Sequence, residues 1–338
     1  MNVIPSVIGM ELEGFLFDKR TGKPVNTLAL LGGADVTTGM PFEKITTDMA
    51  ESSVELVTTP CRNGRGILES LNTLIGHLPK SVDLVLKPRP IQGLVKITDK
   101  KRARVMREAL LKEQPEGALP PGLCGIDIVA PWCATHVHIK VPDVLSDEAV
   151  LLLNILNESA PYARQKVITM FGIRGTEGHS MIWQKWCDQR RLPASRWFKG
   201  AKELTEFVGG IPLLVVDKDG TGDWQLGNGE LSKLGDAGAE GTLWWMARPR
   251  AVYGTLEWRP FPPVEKLQAV VLADEVLNLV SEYWSYIGRY PHAVSEWMRR
   301  ENDYSPIKEL FAELSKRSAL VPPKMLSFSD EWWQLYRM

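Results

Sequence analysis

An α+β fold built on a largely antiparallel sheet is what this chain predicts, and three observations carry that prediction. Strand-like runs and segments of helical period are interspersed along the 338 residues without the regular strand–helix–strand beat of a parallel sheet. Asp219-Gly220-Thr221-Gly222 stands between two strand-like stretches as a hairpin connection, which joins antiparallel neighbours. Several strand runs carry polar residues at i and i+2 within otherwise apolar sequence, the pattern of a sheet with one polar face.

In chain order, the strand-like runs fall at 7–17, 54–59, 136–141, 212–217, 243–247 and 254–259. Helical periodicity predicts helices over about 66–78, 100–112, 146–158, 264–287, 292–301 and 307–318. Ser146-Asp147-Glu148 supplies an N-cap and an acidic first turn, and Ser305-Pro306 places proline at a first helical position. Breakers concentrate in 114–132, where four prolines and three glycines predict a long ordered loop or flap inside one domain. No repeat and no Ser/Gly linker divides the chain, so 1–338 is read as a single domain with a helical C-terminal segment from about 264. All twelve tryptophans lie at or after position 132, so the second half is expected to pack most of the aromatic core.

Composition narrows the function classes. With 44% hydrophobic and 24% charged residues, the chain is not a disordered or low-complexity protein. Lysine and arginine number 40 against 41 aspartates and glutamates, a net charge of −1 that argues against dedicated nucleic-acid binding. The opening residues carry no basic segment followed by a long apolar run, so no signal peptide is expected. The best candidate for a membrane span, 264–288, is interrupted by Asp274, Glu275 and Glu282, so no membrane association is expected. Four cysteines in a chain this long are no disulfide scaffold, and a reducing cytoplasm is the expected compartment.

The chemistry lies where charge interrupts the strands. Glu11 and Glu13 stand at i and i+2 between Met10 and Leu12, so both carboxylates project from one face, about 6.5–7 Å apart at the backbone. Glu55 sits among apolar neighbours in Ser53-Val54-Glu55-Leu56-Val57, and His136-Val137-His138 and Glu257-Trp258-Arg259 repeat the i, i+2 pairing. Taken singly, each pair reads as the solvated face of a sheet. Four together in apolar strands point elsewhere, because buried carboxylates need partners. Divalent metal ions and a polyanionic ligand would supply them. Glutamate oxygens with an imidazole suit Mg²⁺ or Mn²⁺, and carboxylates one pleat apart can serve different ions of a cluster.

At this point the sequence resembles the second glutamate–cysteine ligase family, carboxylate–amine ligases on the glutamine-synthetase-like catalytic fold. The matching residues are 9–13, 53–60, 136–139, Arg248-Pro249 and 254–259, in the family's order and at compatible separations. The resemblance implies a curved antiparallel sheet with helices on its outer face, holding ATP and two or three Mg²⁺ ions in its concavity. It implies a single catalytic domain that forms an amide through an acyl phosphate. It places Glu11, Glu13, Glu55, His136 and Glu257 in the metal shell, His138 and Arg248 toward the ATP phosphates, and Arg259 at the transferring phosphoryl group, where a guanidinium presents a fixed fork of donors. The segment 114–132 is a candidate for a loop that excludes water. The match is partial after the His-x-His strand, at 158–162 and 171–175, where substrate selection is expected. The substrates therefore stay at the level of a small-molecule carboxylate and an amine, with an amino acid, a peptide or a modified macromolecule all open, as is a homo-oligomer.

Other readings compete. An ATP-dependent phosphotransferase on the same fold is a neighbouring option, and a non-catalytic nucleotide-binding scaffold is another, disfavoured by the retention of the whole charged set. A zinc site from Cys124, Cys133, His136 and His138 lacks a Cys-x-x-Cys pair. No Walker A or Rossmann glycine motif is present. The basic run Lys100-Lys101-Arg102-Ala103-Arg104, with Arg107, reads mainly as a solvated helix face, with contact to a phosphate or an acidic macromolecule as the alternative. His179, His292 and Cys187 read as structural or surface residues.

Overall fold

A computed structural model describes residues 7–86, 96–114, 121, 123–130, 132–174, 191, 197–217, 219–299 and 305–324. His179, Cys187 and much of 114–132 lie outside these residues.

Eight strands form the main sheet: β1 (Ile8–Asp18), β2 (Val36–Thr37), β3 (Lys44–Thr46), β4 (Ser53–Val57), β5 (Val82–Val85), β6 (Thr135–Lys140), β9 (Ala247–Arg250) and β10 (Thr255–Phe261). Their order is β2-β3-β4-β1-β6-β10-β9, and every pair is antiparallel, as the sequence predicts. Phe15 of β1 pairs with both Ser53 and Val85, so β5 shares with β6 the edge of β1 opposite β4. A separate hairpin of β7 (Val215–Val216) and β8 (Gln225–Leu226) turns through the glycines at 220 and 222, both at positive φ.

Alternation along the strands sorts the side chains. Ile8, Met10, Leu12 and Leu16 of β1, Val54 and Leu56 of β4, Val137 and Ile139 of β6, and Leu256 and Trp258 of β10 all enter the main core. Burial of each such side chain stabilises the fold by roughly 1.5–3 kcal/mol. The helices Gly64–His77, Asp147–Phe171 and Lys266–Arg289 contribute to that same core. Gly64 admits the close approach of the first to the third: a Cβ there would lie 2.5 Å from the Val270 carbonyl oxygen, and the Gly64 N–H donates to Asp274 Oδ1 at 2.6 Å.

Three expectations shift in the structure. The helix that begins at the Ser146 cap does not stop at 158 but runs through Pro161 to Phe171. Proline normally breaks a helix by removing an N–H and crowding the preceding turn. Here burial along nearly the whole helix outweighs that cost, and Asn157 ties it to β9 by exchanging two hydrogen bonds with Ala247, at 2.8 and 2.9 Å. The strand expected at 243–247 forms instead at Ala247–Arg250, and the run at 212–217 contributes only two strand residues. In both places buried apolar residues imitate a strand: Leu243, Trp244 and Trp245 pack into clusters without pairing in the sheet.

Loops from the two ends of the sheet meet above its other face. Phe42 precedes β3 and Tyr253 precedes β10, four strand steps or about 19 Å apart in a flat sheet, yet their rings lie 6.2 Å apart. These loops lean together over the charged face, and the space beneath them is a cavity of about 870 Å³.

Candidate active site

Register alone assembles the charged set. Glu13 pairs with Glu55 and Glu11 with Val57 across β1 and β4; Glu11 pairs with His136 and Gly9 with His138 across β1 and β6. Glu257 pairs with His138 across β6 and β10, and with Arg248 across β10 and β9. Paired residues share a face, so every one of these side chains points into the same concavity, away from the apolar core. All eight candidate residues, Glu11, Glu13, Glu55, His136, His138, Arg248, Glu257 and Arg259, line the cavity. Trp258, between Glu257 and Arg259, points the other way, and its indole N–H donates to the Leu156 carbonyl at 3.0 Å, fixing β10 on the long helix.

Two clusters stand side by side on the face. In the first, Glu257 is 1% exposed and ringed by arginines. Arg248 grips it with two hydrogen bonds, Nε to Oε2 at 2.8 Å and Nη2 to Oε1 at 2.9 Å, while Arg259 Nη1 lies 3.3 Å from Oε1 and Arg250 Nε 3.5 Å from Oε2. Burial alone would raise the Glu257 carboxyl, but Arg248 and Arg259 overcome it and hold the group far below the usual carboxylate range. Burial and the neighbouring Arg259 push the Arg248 guanidinium down to about 9.

In the second cluster the carboxylates face one another. Burial, Asp48 and Glu55 push Glu13 well above the ordinary carboxylate value; burial, Glu11 and Asp48 do the same to Glu55. Glu13 accepts one N–H, from Ala134 at 2.7 Å. Glu11 bridges the clusters. Its Oε2 lies 3.0 Å from His136 Nδ1 and its Oε1 2.9 Å from His138 Nε2. The histidines outweigh its burial and hold it low, and burial and Arg259 push His136 down.

The donor set fits a hard divalent cation. One ligand atom each from Glu11, His138 and Glu257 lie within 4.8 Å of one another, and Glu13 and Glu55 are two neighbouring carboxylates whose mutual repulsion a cation would relieve. Two sets of surroundings bear on the expected roles. His138, expected at the phosphates, belongs to the three-ligand group, while His136 sits beside it, 3.5 Å from both Glu13 and Glu257. Arg248, also expected at the phosphates, is engaged by Glu257 and by the Leu243 carbonyl at 2.9 Å. Cys124 and Cys133 lie buried in separate apolar clusters, away from a shared ligand group.

Residues outside the expected set complete the cavity: Lys44, Asp48, Lys100, Arg102, Arg250 and Tyr253. Arg250 follows Arg248 by two on β9, so the i, i+2 rule would have found it had the strand been drawn at 247–250. Lys44 lies on a three-residue strand too short to read as one. The basic run divides: Lys101 pairs with Asp223 in solvent, Arg107 with Asp127, and Lys100 reaches Asp35 at 2.8 Å and Thr47 O at 3.2 Å. Arg102 turns inward over the Trp224 ring.

Among the described residues no helix is long and apolar enough to cross a membrane. No family model matches the sequence, and no curated protein matches it. Among solved structures, a bifunctional glutathione synthetase from Pasteurella multocida is 15% identical, with a TM-score of 0.43, over 98% of this chain and 47% of that one. A glutamate–cysteine ligase from Francisella tularensis, in complex with AMP, is 12% identical, with a TM-score of 0.46, over 98% of this chain and 80% of that one. The chain is similar to both over nearly its whole length, and it spans about half the length of the first.

Proposed function

We propose that this chain is an ATP-dependent carboxylate–amine ligase that forms an amide through an acyl phosphate. The observation that carries this reading is the single concave face on which register places four glutamates, two imidazoles and three arginines in one cavity.

A carboxylate does not react with an amine at neutral pH, because its leaving group is too poor. In the proposed sequence a carboxylate oxygen of the acid attacks the γ-phosphorus of ATP, and the bond to ADP breaks. The amine then attacks the acyl carbon; the carbon–oxygen bond to phosphate breaks and the nitrogen sheds a proton. Positioning and charge stabilisation supply most of the catalysis in phosphoryl transfer. Glu11, Glu13, Glu55, Glu257 and the two histidines would hold Mg²⁺, or Mn²⁺, which when bound offsets repulsion between the acid and the γ-phosphate. Arg259 lies at the join of the two clusters, and its fork of donors suits the charge that develops on the transferring group. Arg248 and Arg250 hold Glu257 ionised and oriented. Residues 1–338 would act as one catalytic domain.

The test is Mg²⁺-dependent ADP release against a panel of acids and amines. ADP formed only when both are present supports the ligase, whereas ADP formed with acid alone points to a kinase. Glu13→Gln should lower turnover by roughly 100-fold or more with the circular dichroism spectrum unchanged; normal turnover in that variant overturns the metal assignment.

A further inference from the structure

Five cations around the cavity have carboxylate partners, and Lys140, exposed on β6, reaches the Tyr253 carbonyl at 3.5 Å. Arg248, Arg250 and Arg259 converge on Glu257, and Lys44 and Lys100 reach Asp35, at 3.3 and 2.8 Å. Arg102 is different. It enters the cavity from the first turn of the helix Lys101–Glu113, on a wall with its own small core of Met106, Ile126, Leu214 and Trp244. Its guanidinium carbon lies 5.1 Å from the centroid of the Trp224 ring, and its Nε is buried with no hydrogen-bond partner. Among the described residues Arg102 makes no ion pair. A buried donor without a partner is costly, so natural proteins rarely leave one unless a ligand or ordered water supplies the acceptor. Burial and Arg250 act against its charge and Asp48 and Glu55 act in its favour, but neither carboxylate reaches the fork, and an anion there would satisfy the buried donor.

Two neighbours shape the space around this side chain. A Cβ at Gly241 would lie 2.3 Å from Arg102 Nη2, so a larger residue there would push the guanidinium tip aside. Trp224 lies beside the guanidinium at cation–π distance and accepts no hydrogen bond from it, which leaves the donors of the fork for a ligand. The flanking residues of the run, Lys101 and Arg107, have their own carboxylate partners.

We infer that Arg102 is a recognition residue for an oxyanion of the ligand that fills this cavity, a carboxylate or a phosphate group held by the guanidinium edge. This rests on the ligase reading only in expecting such a ligand in the cavity. The two sources share one chemistry. A phosphate would come from the nucleotide; a carboxylate would come from the acid substrate, as a second acidic group apart from the one activated.

The test is binding to the 338-residue chain, read by calorimetry and by Trp224 fluorescence, taken as the difference between the natural chain and Trp224→Phe. The probes are Mg²⁺·tripolyphosphate for the phosphate arm and glutarate, with butyrate as the monocarboxylate control, for the carboxylate arm. Arg102→Gln should weaken one probe by roughly 10- to 100-fold, the loss expected for a charge-assisted fork. Arg102→Lys should recover only part, because a point charge lacks the fork. Loss for tripolyphosphate assigns the residue to the nucleotide; loss for glutarate with butyrate unmoved assigns it to the acid. Unchanged binding of both probes in Arg102→Gln, or full recovery in Arg102→Lys, overturns the inference. Because the readout is binding, the outcomes separate. A chain that turns over with Arg102→Gln unaffected keeps the ligase and loses this site, and a silent chain whose probe binding needs Arg102 does the reverse.

Discussion

The two halves of the charged face handle buried carboxylates in opposite ways. On β9 and β10, Glu257 is enclosed by three arginines and held ionised, so its charge is answered by the protein itself. On β1 and β4, Glu13 and Glu55 oppose each other in register with Asp48 close by, and each is pushed toward its protonated form. The first half is complete as built. The second carries electrostatic cost that a bound cation would remove, so on the proposed reading the metal is needed most on the β1–β4 side, while Glu257 organises the arginines as well as offering a ligand atom.

The largest expected effect breaks the complete half. Glu257→Gln leaves Arg248 buried without its counter-charge, and removing one partner of a buried pair costs about 3–5 kcal/mol. Denaturant unfolding should show that loss with or without Mn²⁺. A variant as stable as the natural chain would mean that water already satisfies the arginines, and the contrast between the halves would collapse.

A smaller effect of opposite sign is expected on the other side. Glu55→Gln removes a charge that its neighbours oppose, so the metal-free protein should become more stable by about 0.5–2 kcal/mol, in the range seen when function has been bought with stability. With Mn²⁺ added, the order should invert, since only the natural chain keeps the full ligand set. Destabilisation in the absence of metal would show that Lys44, rather than a cation, already answers Glu55.

How much of this was legible in the sequence depends on strand length. Glu11, Glu13, His136, His138, Glu257 and Arg259 sit on strands of six or more residues, where alternation of apolar and charged positions fixes the face. Lys44 and Arg250 sit on strands of three and four residues, too short for a period of two to stand out. The inward turn of Arg102 was hidden for a different reason. In the helix Lys101–Glu113 seven of thirteen residues are charged, and which of them enters the cavity depends on neighbours far along the chain, Trp224 and Gly241 among them. The full length of Asp147–Phe171 is not legible in the sequence, because Pro161 is a local signal of a break, whereas the packing that overrides it is tertiary.

The finest test of the contrast is proton counting. Glu13 and Glu55 ionise at higher pH in the folded protein than in the unfolded chain. Between those two values the folded state binds more protons, so these groups stabilise the fold at low pH, and that contribution is lost as pH rises through the folded values. Carboxylates must be deprotonated to bind metal, so Mn²⁺ should displace protons in that same window. Titration of Mn²⁺ in two buffers of different ionisation enthalpy should therefore show proton release that shrinks as pH rises. Glu257 is already ionised and should contribute nothing, so the double variant Glu13→Gln, Glu55→Gln should lose the share of the release that the carboxylates supply. Release undiminished in the double variant would centre the cation on Glu11, His138 and Glu257 and overturn the assignment to the β1–β4 side.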